Sequence, residues 1–251
     1  MSRSLPLELR DLIIDHLHDE PITLETCCFV SKSWIQRARK HIFADITFKN
    51  PCLHVERWKR TFPDPTNSPA HHTRTLTIYN PRFTPAEADI LPTFCGVVHL
   101  NVNTVWWRDS MVSFVPLRGL SPVLRSLRLT LAFILPASEV FGLICSFPLL
   151  EDLALVSQGY GHMDEGWSAP STSPRFTGSL ELRMAEGMQS TTRRLLGPPN
   201  GLHFTSIVVS WLSERDIGST MDLVSRCSDT LQSLSITDKS SGPSPSILAP
   251  K

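Results

Sequence analysis

The chain has 251 residues, 24 Lys+Arg against 24 Asp+Glu, 41% hydrophobic and 19% charged residues. Such a composition can bury a core, and zero formal charge gives no net attraction to phosphate or anionic lipid, so neither nucleic acid nor membrane is an expected partner. Twenty prolines punctuate the whole length and argue against a helical bundle.

The N-terminus, MSRSLPLELRDL, is charged and has no apolar h-region, and no stretch approaches about 18 uncharged apolar residues. A reducing, intracellular location, cytoplasmic and/or nuclear, is therefore expected. Six cysteines (Cys27, Cys28, Cys52, Cys95, Cys145 and Cys227) form no C-x-x-C, and no histidine pair has finger spacing. No zinc is expected, and most of the cysteines read as small buried hydrophobes.

The first element is a helix over LELRDLIIDHL, with Pro6 at its first position, where a missing N–H costs nothing. Leu9, Ile13 and Leu17 recur at i+4, and Leu12 and Ile14 widen the stripe. Asp19-Glu20-Pro21 stops it, and Thr23 is the expected N-cap of a second helix. Cys27, Val30, Trp34 and Ala38 then fall on one face, while Lys32, Arg37 and Arg39 project elsewhere. Ile42, Phe43, Ile46 and Phe48 close a third short element, extended at its end. Leu5, Pro6, Leu9, Ile13, Val30 and Trp34 are more large apolar residues than a unit of roughly 45 residues can hide. Either a partner protein or the downstream chain covers them.

LPLELRDLIIDHL…TLETCCFVSKSWIQRARKHIF, with its Leu-Pro opening and Val-x-Lys-x-Trp core, resembles an F-box. "VSKSW" and "RARKHIF" are particularly similar to the fungal, basidiomycete-type F-box proteins, and the resemblance spans residues 4–48 without a gap. It implies docking on a Skp-type adaptor, and through it on a cullin within a ubiquitin ligase. Leu5 and Pro6 match the opening pair. Leu9, Ile13, Leu24, Val30, Ser31 and Trp34 match positions that pack in the core or face the adaptor, and these eight are the adaptor-binding candidates. The segment HLHDEPITL is longer and more polar between helices than the general pattern, as in the fungal subgroup.

Residues 49–72 read as a linker: a helical piece, LHVERWKRTF, with Trp58 packing in it, then a proline-rich turn, PDPTNSPAHH. Beyond it a hexapeptide of spacing L-x-x-L-x-L recurs. LRSLRL, LEDLAL and LQSLSI fit in register, FTSIVV fits with substitutions, TGSLEL fits at its last two positions, and TRTLTI and VVHLNV extend the series upstream. The starts at 73, 97, 124, 150, 177, 204 and 231 are 24, 27, 26, 27, 27 and 27 residues apart, a period that chance alternation does not hold. Helical segments follow several strands. In ASEVFGLICSF, Val140, Ile144 and Phe147 share a face; in ERDIGSTMDLVSRCS, Ile217, Met221 and Val224 do.

A strand and a helix every 26–27 residues predict a leucine-rich-repeat-like solenoid with a curved parallel sheet. The usual Asn or Cys after the strand is missing, being Val105, Ala132, Gln158, Ala185 and Leu212, so the repeats are degenerate. "FTGSLELRMAEGM", "RRLLGPPNGLHF" and "LVSRCSDTLQSL" resemble the repeat region of the same fungal proteins. The loop 157–178, rich in Gly, Ser and Pro, is expected to be irregular, and the tail 238–251 disordered. The tail stops before the next strand the period would place, so a shortened form is one expectation.

The predicted class is α+β or α/β: an all-α F-box (1–48), a linker (49–72), repeats (73–237) and a tail. No G-x-S-x-G and no phosphate-binding Gly loop occurs. His16, His18, His71 and His72 read as polar surface, Asp164-Glu165 as a solvated loop, and the run Arg37, Arg39, Lys40 as a solvated face. Trp106, Trp107 and Trp211 directly follow repeat strands and are target-binding candidates, unless they pack on the next helix. The resemblance implies a non-catalytic substrate-recognition subunit of a Skp-cullin-F-box ubiquitin ligase, with no cofactor and no metal. The alternative is an adaptor-binding scaffold, or a repeat module, that is not coupled to ubiquitylation.

Overall fold

The structure, a computed structural model, describes residues 6–104, 113–132, 136–157, 174–184, 188–197 and 201–238. The fold class is α+β, and each described strand pairing is parallel. The chain divides into two compact units, Met1–Leu127 and Arg128–Lys251.

The first unit opens with α1 (Leu7–His16), α2 (Pro21–Val30) and α3 (Lys32–Ile42). Pro6 stands at the N-cap of α1, one residue before the position expected for it. Pro21 lies in the first turn of α2, where its missing N–H is harmless. Thr23 is therefore inside α2 and is not its cap; its hydroxyl donates to the Glu20 carboxylate at 2.8 Å. The single helix expected through Cys27, Val30, Trp34 and Ala38 is broken at Ser31, whose backbone is extended (φ −159°, ψ 143°). The Ser31 hydroxyl accepts the Ser33 N–H at 3.3 Å, satisfying a donor that a new helix would otherwise leave open. The break splits the expected face. Cys27 and Ala38 meet Ile14 and Leu24 in one core, with Trp34 packed on its margin, while Val30 turns outward.

Next come β1 (Asp45–Phe48), α4 (Pro51–Thr61), β2 (Thr75–Tyr79), the single-turn α5 (Pro85–Ala88) and β3 (His99–Thr104). β1, β2 and β3 pair in chain order, with Ile46, Leu76 and Leu100 in register, followed by Phe48, Ile78 and Val102. The segment read as a linker is folded into this unit: Val55 and Trp58 are buried. Trp58 packs on Phe43, Phe48, Phe62 and Phe94 at centroid distances of 5.0–6.3 Å, and its indole N–H donates to Ser68 Oγ at 3.2 Å. An aromatic cluster of edge-to-face and tilted pairs gains more than its buried area alone supplies. Gly96 completes the packing, since a Cβ there would stand 2.6 Å from the His71 carbonyl oxygen.

The division between units falls inside β4 (Ser126–Leu131). The second unit continues with α6 (Ala137–Ile144), β5 (Asp152–Ser157), β6 (Ser179–Met184), α7 (Met188–Leu196), β7 (Ser206–Leu212), α8 (Ile217–Arg226) and β8 (Ser233–Asp238). β5 to β8 pair in chain order, with Leu153, Leu180, Ile207 and Leu234 in one rung and Leu155, Leu182, Val209 and Ile236 in the next. Every strand from β2 to β8 begins two residues after its predicted repeat start. Val97, Leu124, Leu150 and Phe204, which open their hexapeptides, are buried just ahead of the strand.

Val140, Ile144 and Phe147 are buried as expected. α8 differs. Thr220, Leu223 and Cys227 point inward, Val224 is half-buried, and Ile217 and Met221 are exposed. α7, which packs on α8, buries Thr191 and Thr192 together with Met188 and Leu195. The apolar stripe alone did not report that choice.

Candidate functional site

α1 presents its faces in an unusual way. Its polar side is turned toward α3: Asp15 accepts from Arg37 Nε at 2.5 Å and from a second guanidinium nitrogen, and His41 Nε2 lies 2.8 Å from the same carboxylate. The paired Arg37 hydrogen bonds hold Asp15 well below the usual carboxylate range against the opposing effect of burial, and His41 adds to the lowering. Asp15 in turn raises Arg37. A bidentate arginine fork fixes orientation as well as charge, so α1 is locked on α3 by polar contacts.

With its acidic side committed, α1 turns Leu9, Leu12 and Ile13 outward at i, i+3 and i+4. α2 adds Ile22, Val30 at 64% exposure and Phe29 at 90%. Leaving such side chains in water forgoes about 1.5–3 kcal/mol each relative to burial, which marks the faces as unfinished.

The adaptor-binding candidates separate on this geometry. Pro6, Leu9, Ile13 and Val30 are exposed. Leu24, at 1% exposure, fills the core of the three helices and has no surface to offer a partner. Ser31 is half-buried and caps α3, and Trp34 is partly buried against the core. Leu5 lies outside the described residues. Sequence reading missed Leu12, Ile22 and Phe29 as surface; the doublets Leu12-Ile13 and Phe29-Val30 were the signal, since a narrow helical stripe does not bury both members of a doublet.

The solvent-facing side of the strands is a second surface. In the first unit Asn101 Nδ2 donates to Thr77 Oγ1 at 3.3 Å across neighbouring strands. In the second, Arg128 on β4 reaches over β5 to Glu181 on β6 at 2.8 Å, and Arg183 approaches the same carboxylate at 3.2 Å. Ala154, paired with Glu181, leaves room for that reach. Trp211 is half-buried at an irregularity between Ser210 and Leu212 and has φ +68°. A non-glycine residue in the left-handed region costs on the order of 1–3 kcal/mol, and such strain clusters at functional positions. Trp106 and Trp107 lie outside the described residues.

A cavity of about 320 Å³ in the first unit is lined by Trp58, Phe62, Pro65, Ile90 and Asp89, with Lys59 at its edge donating to the Ala86 carbonyl. The His71 and His72 rings sit 3.9 Å apart. Burial lowers the His72 pKa, and neighbouring His71, Lys40, Arg39 and Arg74 act in the same direction.

The six cysteines are free. Cys27 and Cys227 are buried, Cys28 and Cys145 half-buried, and Cys52 and Cys95 exposed, so fewer act as core residues than expected. Burial pushes the Cys145 thiol up to about 11, away from the reactive thiolate. Among the described residues, no group of three His, Cys, Asp or Glu could hold a metal ion, and no helix is long and apolar enough to cross a membrane. No protein-family model and no curated protein matches the chain.

Proposed function

We propose that the chain is an F-box substrate-recognition subunit of a Skp-cullin-F-box ubiquitin ligase. The observation that carries this reading is the outward apolar face of α1 and α2, which includes Pro6, Leu9, Ile13 and Val30, four of the residues singled out by the F-box resemblance. A Skp-type adaptor covers that face, and the adaptor brings the cullin. The regular period and the register of the parallel strands support a leucine-rich-repeat-like solenoid for the rest of the chain. Its polar strand face, with Arg128, Glu181 and Arg183, and the rim residue Trp211 hold the target protein. The chain acts by proximity, raising the effective concentration of target near the transfer machinery while catalysing nothing itself.

The test is co-elution with a purified Skp-type adaptor on size exclusion. Wild type is expected to co-elute, and Leu9→Asp with Ile13→Asp to release the adaptor while the melting temperature stays near wild type, because both positions are exposed. Leu5→Ala with Pro6→Ala is expected to weaken binding. Failure of the wild-type chain to bind any Skp-type adaptor sinks the proposal. Adaptor binding without a cullin or ubiquitin conjugates in cell extracts favours the scaffold reading.

A further inference from the structure

The cavity beside Trp58 combines apolar walls with two opposite charges. Its volume of about 320 Å³ falls at the lower end of the range that small-molecule sites occupy, roughly 300–1,000 Å³. Trp58, Phe62, Pro65 and Ile90 supply the apolar surface, and Lys59 and Asp89 are the two charged residues of the lining. Neither is held in an ion pair with a described residue. Lys59 Nζ donates to the Ala86 carbonyl, and the Glu87 carboxylate, which feels the Lys59 charge, is engaged by the Thr84 N–H at 2.7 Å. Asp89 stands exposed at the opening.

Ser68 adds a buried polar group. It lines the cavity at 3% exposure, and its Oγ accepts from Trp58 Nε1 at 3.2 Å and from the Ala70 N–H at 3.3 Å. With both lone pairs taken, the hydroxyl is left as a donor, and no described residue accepts from it.

We propose that this cavity binds a free amino acid with an apolar or aromatic side chain. Its carboxylate accepts from Lys59 and its ammonium donates to Asp89. Charge selects this class. A simple cation gains Asp89 but is opposed by Lys59, and a simple anion gains Lys59 but is opposed by Asp89. A zwitterion satisfies both through charge-assisted hydrogen bonds, and its carboxylate also offers an acceptor of the kind Ser68 lacks. The aromatic and proline walls then take the apolar side chain. The inference is independent of adaptor docking and of target binding, since it uses no residue of α1 to α3 and none of the strand faces.

Isothermal titration of the full chain with L-phenylalanine and with L-leucine is expected to give dissociation constants of about 1 mM or tighter, with a higher melting temperature at saturation. N-acetyl-L-phenylalanine, which has no ammonium, and L-phenylalaninamide, which has no carboxylate, are each expected to bind at least about tenfold more weakly. The two charges are read separately by substitution. Asp89→Asn is expected to abolish the preference for phenylalanine over its N-acetyl derivative while keeping the preference over the amide. Lys59→Met is expected to do the reverse, and melting curves establish that both variants are folded. Absence of heat and of a melting shift with both amino acids at about 10 mM overturns the proposal without reference to any variant. So does equal affinity for phenylalanine and its two blocked derivatives. Folded variants that weaken all three phenylalanine ligands by the same factor overturn it too, because neither charge would then be reading its own end of the ligand.

Discussion

Asp15 shows how one carboxylate decides what its helix displays. Arg37 and His41 draw it toward α3, which leaves the opposite side of α1, with Leu9 and Ile13, facing solvent. Its folded pKa lies below the unfolded value near 3.9, so its contribution to stability is present at higher pH and is lost as pH falls below about 4. Asp15→Asn is expected to lower stability on the order of 1 kcal/mol at pH 7, the pair being about one-third exposed and screened accordingly. The difference between the two proteins in thermal melts is expected to begin shrinking as pH falls below about 4 and to close only in strong acid, where the folded-state carboxylate is itself protonated; a constant difference across the whole acid range would show that the carboxylate charge is not the cause. At the same scale, Leu9 and Leu24 look alike in sequence, yet one is half-exposed and the other is core. Nothing local separates them, because burial depends on where α3 lies.

Ser31 does at the level of elements what no stripe of apolar residues could. Val30, Trp34 and Ala38 have helical spacing, which suggests one continuous helix, but a serine able to accept an N–H two residues on allows the backbone to extend and start again. Ser31→Ala is expected to cost about 1 kcal/mol in denaturant unfolding, and Ser31→Asn to retain most of the stability. Equal losses for both would assign the break to tertiary packing and not to the cap. α8 was misjudged for a related reason. It has apolar residues on two sides, and the side with Leu223, Cys227 and Thr220 goes inward while Ile217 and Met221 stay exposed. α6 has one dominant apolar stripe, so its buried face was legible.

The repeat period is a property of the whole molecule. A rung such as Leu153, Leu180, Ile207 and Leu234 repeats because each strand covers the previous one, so hydrogen exchange is expected to be slowest in β6 and β7, paired on both sides, and faster in β8. Protection of β8 equal to that of β7 at low protein concentration would mean that its outer edge is covered within a single chain. The sequence by itself determined where the strands from β2 to β8 begin, because a period-two pattern returned at a near-constant interval is imposed by stacking and is written into each unit. It also marked Pro6, Leu9, Ile13 and Val30 as candidates for a partner. Only the tertiary structure decided that Leu24 is core, that Ser31 divides two helices, and that Val55 and Trp58 of the 49–72 segment are buried in the first unit. Each of these depends on contacts between segments far apart in the chain, and local spacing contains no information about which neighbour arrives.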